Sequence, residues 1–244
     1  MITTEKTVLI TGATSGIGLS IALLFAENGW NIICHYNSLG NKALEIKDVI
    51  QGYGVECILI KANFLLEKDI NDLISKLYEF KVHSIINNAG TLVISKHFSE
   101  LSLEQIKDCF MVNVFAHMLL TSKLFNQMKN INFGRIVNIS SIAAHYGGST
   151  YSMHYGSAKL AMEGITKTIS KEGAKYNILC NTVRPGLIDT EFHSKYPKDM
   201  EKRISMVPVK RIGTTKEIAD MVYYLGSDKN TFITNQTITI AGGE

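Results

Sequence analysis

Tyr155 and Lys159 stand four residues apart in the stretch TYSMHYGSAK, residues 150–159 of a 244-residue chain. The pattern of residues 154–174 predicts a helix, which puts both side chains on one face. A free phenol titrates near pH ~10, and a neighbouring ammonium favours the phenolate and lowers that value. Such a phenol is a usable proton donor or acceptor at neutral pH. Upstream, Ser141 closes the strand-like run RIVNISS. A hydroxyl at a strand end of a wound sheet lies where ligands bind and can stabilise charge developing on a substrate oxygen. Its neighbour Ser140 competes for that role. Tyr151 lacks a lysine one turn on, so it reads as pocket wall, together with His154.

A second pattern is TVLITGATSGIGLSIALLF, a strand, a glycine turn and a helix. Gly12 permits the sharp exit from the strand, Gly16 lets a phosphate approach backbone N–H groups, and Gly18 lets the helix pack closely. The helix N-terminus then offers its dipole and unpaired donors to an anion. A glycine pattern alone is weak evidence. Here it falls at the first strand-to-helix turn, which points to nucleotide binding.

The elements that must position these residues alternate along the chain. Strand candidates are 7–10, 31–36, 56–62, 84–88, 135–140, 178–183 and 236–240, and helix candidates include 17–28, 41–52, 101–129, 154–174 and 215–226. Most strand candidates are continuously apolar, as strands buried on both faces are. The order predicts an α/β fold: one doubly wound parallel sheet of the Rossmann type, with about seven strands flanked by helices. Residues 1–244 read as a single domain with a substrate loop or lid at about 187–212. Hydrophobic content of 45%, charged content of 19% and a net charge of +3 are ordinary for a globular protein. No basic block points to nucleic acid, and no apolar run is long enough for a membrane. MITTEKTVLITG runs straight into a strand, so no signal peptide is expected. Cys34, Cys57, Cys109 and Cys180 are widely spaced, which favours reduced thiols over disulfides or a metal site and a cytoplasmic location.

The glycine spacing T-G-x-x-x-G-x-G, with NNAG (87–90), Asn113, RIVNISS (135–141), YGSAK (155–159), RPGLIDT (184–190) and ITNQTITIAGG, resembles the short-chain dehydrogenase/reductase family over essentially the whole chain. The resemblance implies an oxidoreductase that interconverts a carbonyl and a secondary alcohol with a nicotinamide dinucleotide. Tyr155 is then the acid/base, Lys159 tunes it and holds the nicotinamide ribose, and Ser141 orients the carbonyl. Asn113 holds a water linking Lys159 to solvent. Gly12, Thr14, Ser15, Gly16, Ile17 and Gly18 surround the phosphates. Tyr36, Asn37 and Ser38 meet the adenosine ribose, Asn63 and Phe64 the adenine. Asn88, Ala89, Gly90, Pro185, Gly186, Ile188 and Thr190 approach the rest of the cofactor. Tyr36 stands where NAD-specific members usually carry an aspartate, and His35, Asn37 and Ser38 could donate to a 2′-phosphate. NADP(H) is therefore expected over NAD(H). Asp189 reads as a helix cap.

The substrate wall is expected from Ser141, Ala143, His145, Tyr146, Tyr151, His154, Tyr155, His193 and Tyr196. Within the family, the pattern is similar to the 3-oxoacyl-[acyl-carrier-protein] reductase group, which binds an acidic carrier through basic residues. Lys129 and Lys175 lie in those neighbourhoods, with Asn132 and Tyr176 in place of arginines. A dehydrogenase or reductase of a sugar, polyol or other small alcohol is the alternative. A non-catalytic dinucleotide sensor would typically lack the tyrosine or the lysine, and both are present. The resemblance also implies a homo-oligomer, a tetramer or dimer.

Overall fold

The computed structural model describes residues 6–38, 40–192, 196 and 199–244. The strands are β1 (Thr7–Thr11), β2 (Asn31–Tyr36), β3 (Cys57–Lys61), β4 (Ser84–Asn87), β5 (Gly134–Ile139), β6 (Ile178–Pro185) and β7 (Thr237–Ile240). All pair in parallel, in the order β3-β2-β1-β4-β5-β6-β7. The chain winds outward from β1 to β3, then returns to place β4 on the other side of β1. This reversal opens a crevice beyond the C-terminal ends of β1 and β4.

The helices are α1 (Gly16–Glu27), α2 (Gly40–Gln51), α3 (Glu67–Leu77), α4 (Leu103–Phe110), α5 (Ala116–Asn130), α6 (Ala143–Tyr146), α7 (Met153–Gly173), α8 (Met200–Met206) and α9 (Thr215–Gly226). Val8 and Ile10 of β1 join a core with α1, α2 and α9, whereas Leu9 joins one with α3 and α5. β2 divides the same way, Ile32 and Cys34 against Ile33. Burial on both faces explains the continuously apolar strands. Ser102 and Thr214 head α4 and α9 with capping boxes, each worth about 1 kcal/mol.

The expected helix at 101–129 is interrupted. Met111–Phe115 forms a π turn between α4 and α5. Asn113 Nδ2 donates to Cys109 O at 2.8 Å and to Thr91 O at 2.7 Å, which draws the backbone out of α register. The four cysteines are free and buried. Among the described residues, no helix is long and apolar enough to cross a membrane.

Two buried histidines sit near the strand exits. His35 Nδ1 accepts the Gly12 N–H at 3.2 Å and its Nε2 donates to Ala62 O at 3.0 Å. Its ring stacks on Phe64 with centroids 4.1 Å apart, and His117 meets Phe64 edge-on at 5.5 Å. His117 Nε2 donates to Ala89 O at 2.7 Å. Burial pushes His35 down to about 4 and His117 down to about 3. Both stay neutral in the folded protein, while an unfolded histidine takes up a proton below about pH 6.5. Their contribution to stability is therefore full above about pH 6.5 and is lost as pH falls toward the folded values. The expected slope is up to ~1.4 kcal/mol per pH unit for each residue. Thermal melts at about pH 7.5 and about pH 5 should show the lower melting temperature at acid pH, with a smaller difference in His117→Gln. Equal melting temperatures at the two pH values would contradict neutral burial.

Candidate active site

Between β1 and α1 the chain turns through Gly12 and Gly16, at φ of 65° and 50°. Glycine enters this left-handed region without a Cβ penalty. A Cβ on Gly18 would lie 2.1 Å from Gly12 O and 2.5 Å from Asn88 Nδ2, so α1 packs on the turn only because residue 18 has no side chain. The N-cap Ser15 makes no side-chain bond to the first turn, which has no acidic residue. Its donors are left for an anion, and the cradle fits the phosphates of a dinucleotide. Thr14 is buried beneath it. Ile17 is half-buried against the core. Thr190 Cγ2 stands 3.4 Å from where a Gly16 Cβ would be, so the segment after β6 reaches the turn.

A cavity of about 280 Å³ opens beside this turn, lined by His35, Asn37, Asn63, Phe64, Ala89 and Val112, among others. It lies where the adenosine half was expected. Tyr36 is half-buried, and Asn37 and Ser38 are exposed at the exit of β2. His35 is not available to a 2′-phosphate: it is 2% exposed and both ring nitrogens are bonded to backbone. Asn88 lies just past β4, beside the same turn. Its Nδ2 donates to Thr11 O at 2.8 Å and Gly12 O at 3.2 Å, so the amide braces the glycine turn. Thr11 Oγ1 completes the brace by accepting from the N–H groups of Asn88 and Ala89, both at 2.9 Å. Pro185 and Gly186 close β6 in tight packing, the position of a Gly186 Cβ lying 2.6 Å from Ala241 Cβ. Ile188 is buried, with Thr190 Oγ1 3.4 Å from its carbonyl.

The catalytic candidates converge beyond β5. Lys159 is 3% exposed and its Nζ donates to Ile139 O at 2.9 Å. Asn113 Oδ1 and Lys159 Nζ lie 2.7 Å and 2.8 Å from the position of a Gly90 Cβ, so both approach the same point. Ser140 turns its hydroxyl to Glu163 Oε1 at 2.7 Å. Ser141 is the serine that meets Tyr155. The expected downward shift of the phenol is not what the structure gives. Burial pushes Tyr155 up to about 12, and the Ser141 hydroxyl only partly offsets this. Burial also lowers Lys159 to about 8. Lys159 Nζ lies 5.7 Å from the Tyr155 ring centroid, too far to outweigh desolvation of the phenol.

Two described aromatic residues after β6 lie near the phenol. Phe192 approaches Tyr155 with ring centroids 5.8 Å apart, and Tyr196 approaches Phe192 at 5.0 Å. The Tyr196 hydroxyl is 3.1 Å from Thr91 Oγ1. Reciprocal bonds of Gly213 N to Leu187 O and Asp189 N to Gly213 O, both at 2.9 Å, pin the segment's two ends together. Asp189 is exposed. His145, Tyr146 and Tyr151 are exposed, and Ala143 N donates to Ser141 Oγ at 3.2 Å. His154 is not wall: it is 2% exposed, and its Nε2 bonds Leu92 O at 3.0 Å and Ile94 O at 3.1 Å. His193 lies outside the described residues.

Sequence reasoning passed over Thr11, Thr91, Glu163 and Arg184. Glu163 carries the one usable signal, an acidic residue one turn past Lys159 in the apolar run KLAMEGIT.

A dinucleotide cradle at the switch point of a wound sheet, with a buried lysine and a phenol beside it, defines an NAD(P)-dependent oxidoreductase. Residues 12–244 match the family model described as Enoyl-(Acyl carrier protein) reductase. The chain is 31% identical to 3-oxoacyl-[acyl-carrier-protein] reductase FabG of Aquifex aeolicus, over 98% of this chain and 96% of that protein. It is 33% identical to L-rhamnose 1-dehydrogenase (NADP(+)) of Thermoplasma acidophilum, over 98% and 95%. The crystal structure of acetoin dehydrogenase YohF from Salmonella typhimurium matches with a TM-score of 0.86 at 30% identity, over 98% and 97%. The chain belongs to the short-chain dehydrogenase/reductase family.

Gly90→Ala tests the convergence of Lys159 and Asn113. The new methyl would press on two side-chain ends rather than on backbone, so the fold should survive. Displacement of the lysine should lower kcat at least about tenfold. Circular dichroism and steady-state rates check both halves, and a fully active variant contradicts the placement.

Proposed function

We propose that the protein interconverts a carbonyl and a secondary alcohol, with Tyr155 exchanging the proton on the substrate oxygen. The convergence of Ser141, Tyr155 and Lys159 beyond β5, beside the phosphate cradle, supports this reading most. When bound, the nicotinamide dinucleotide supplies or accepts the hydride. Ser141 orients the substrate oxygen and stabilises its developing charge. Tyr155, pushed up to about 12, is protonated at neutral pH, the form that reduction requires. Lys159, lowered to about 8, keeps most of its charge there and supports the phenolate left after transfer. Asn113 is assigned the water that links Lys159 to solvent. Phe192 and Tyr196 cover the phenol and keep bulk water from it.

The cofactor is read as NADP(H). No carboxylate ends β2, and Lys61 stands opposite Tyr36 in the β3 register. Lys42 near the start of α2 is a second cation, 3.6 Å from Glu191. The substrate is read as a carrier-linked 3-oxoacyl group, supported by the similarity to FabG of Aquifex aeolicus. Lys129 and Lys175 flank the Tyr176 ring at 4.5 Å and 5.1 Å, a basic face suited to an acidic carrier. The second reading is a sugar, polyol or other small alcohol, in line with the similarity to L-rhamnose 1-dehydrogenase (NADP(+)) of Thermoplasma acidophilum. Exposed Leu103, Phe115, Met118 and Leu160 fit a homo-oligomer.

Tyr155→Phe should keep dinucleotide affinity within about twofold and lose turnover by at least about a hundredfold. Full activity in that variant would end the acid–base assignment. A panel of an acetoacetyl-carrier thioester, acetoin and sugar alcohols, each with both cofactors, separates the substrate readings. The carrier thioester with NADPH should give the highest kcat/KM, and tighter NADH binding would overturn the cofactor assignment.

A further inference from the structure

Glu163 follows Lys159 by one turn of α7 and is 7% exposed. Its Oε1 accepts from Ser140 Oγ at 2.7 Å and from Arg184 Nε at 2.9 Å, and its Oε2 accepts from Arg184 Nη2 at 2.7 Å. The arginine pairing is bidentate, which fixes direction as well as distance. Arg184 Nη1 donates in turn to Thr239 Oγ1 of β7 at 3.2 Å. One carboxylate therefore joins three segments of the site. These are the helix bearing Tyr155 and Lys159, the end of β5 just before Ser141, and the end of β6 just before Pro185.

The β5 end is clamped to α7 by Lys159 Nζ on Ile139 O at 2.9 Å and by Ser140 Oγ on both Glu163 Oε1 at 2.7 Å and Lys159 O at 3.2 Å. Ser140 is 3% exposed, its hydroxyl held by the Glu163 carboxylate and, at longer range, by the Lys159 carbonyl. Ser141 is then the first hydroxyl of this strand end left to face the phenol.

We propose that Glu163 is a positioning residue for the reaction: by binding Ser140 and Arg184 together it holds Ser141 against Tyr155 and fixes the β6 exit to the catalytic helix. The proposal rests on the acid–base reading given above. A carboxylate that only stabilised the fold would lower the melting temperature and leave kcat unchanged below it.

Rates are measured below the melting temperature for the wild type, Glu163→Ala, Glu163→Gln, Ser140→Ala, the double variant Glu163→Ala/Ser140→Ala, and Tyr155→Phe. Glu163→Ala should lower kcat about twentyfold while KM for the carbonyl changes less than about twofold. Glu163→Gln keeps an acceptor for Ser140 and Arg184, and its loss should be about fivefold. The double variant should stay within about twofold of Glu163→Ala alone, because the shorter of the two Ser140 bonds is the one Glu163→Ala has already broken. A kcat within about twofold of wild type in Glu163→Gln overturns the proposal, and so does a double variant whose losses multiply. If Glu163→Ala fails to fold, Glu163→Gln and the double variant Glu163→Gln/Ser140→Ala carry the same comparison. Full turnover in Tyr155→Phe overturns the acid–base reading itself. An inactive Tyr155→Phe beside an unaffected Glu163→Gln overturns the positioning role alone.

Discussion

The buried ammonium of Lys159 is the constraint around which the site is built. A cation at 3% exposure must be repaid with acceptors. In this chain the acceptor is Ile139 O, at the last residue of β5. That bond requires α7 to cross the exit of β5 at one height and one rotation. Once this is set, Tyr155 falls one turn earlier on the same face and Glu163 one turn later. The phenol then meets Ser141, and the carboxylate meets Ser140 and Arg184. A single helix register therefore distributes the roles of adjacent serines.

The sheet makes that register reachable. In parallel strands all C-terminal ends share one edge, so residues distant in sequence emerge together. A polar chain beneath the surface stiffens this edge. Asn87 Nδ2 donates to Asn138 Oδ1 at 2.8 Å, Asn138 Nδ2 to Thr166 Oγ1 at 2.9 Å, and Thr166 and Thr182 hydroxyls meet at 2.7 Å. It links β4, β5 and β6 through α7. The brace from Thr11 and Asn88 does the same for the glycine turn. Both devices hold backbone at strand exits, where ladder hydrogen bonds run out.

Much of this was legible in the sequence because backbone demands leave strong marks. Continuous apolar runs announced strands covered on both faces, and Gly12, Gly16 and Gly18 announced a turn that tolerates no Cβ. Side-chain direction left weaker marks. His35 and His154 read as polar residues near a site, yet each bonds backbone carbonyls inside the fold. A buried histidine and an exposed one have the same letter, and only the backbone folded against it, Gly12 and Ala62 for His35, Leu92 and Ile94 for His154, decides between them. The π turn at Met111–Phe115 was equally hidden. It adds one residue to a helical turn, a change too small to alter the apolar spacing of the long run around Asn113.

Burial separates the chemistry from the selectivity. It raises Tyr155 to about 12 and lowers Lys159 to about 8, so phenol and amine move apart and the phenol stays protonated at neutral pH. A neutral phenol beside a charged amine is suited to giving a proton to an oxyanion. Under the acid–base role proposed for Tyr155, oxidation would require the phenolate, which this environment disfavours. The bonded groups that impose this state are interior. Tyr151, His145 and Tyr146, expected as substrate wall, are exposed and bound by few such constraints. Substitution there would leave the bonded interior groups in place. A bonded interior with an exposed, lightly bonded rim is compatible with similarity to proteins named for substrates as different as 3-oxoacyl-[acyl-carrier-protein], L-rhamnose and acetoin.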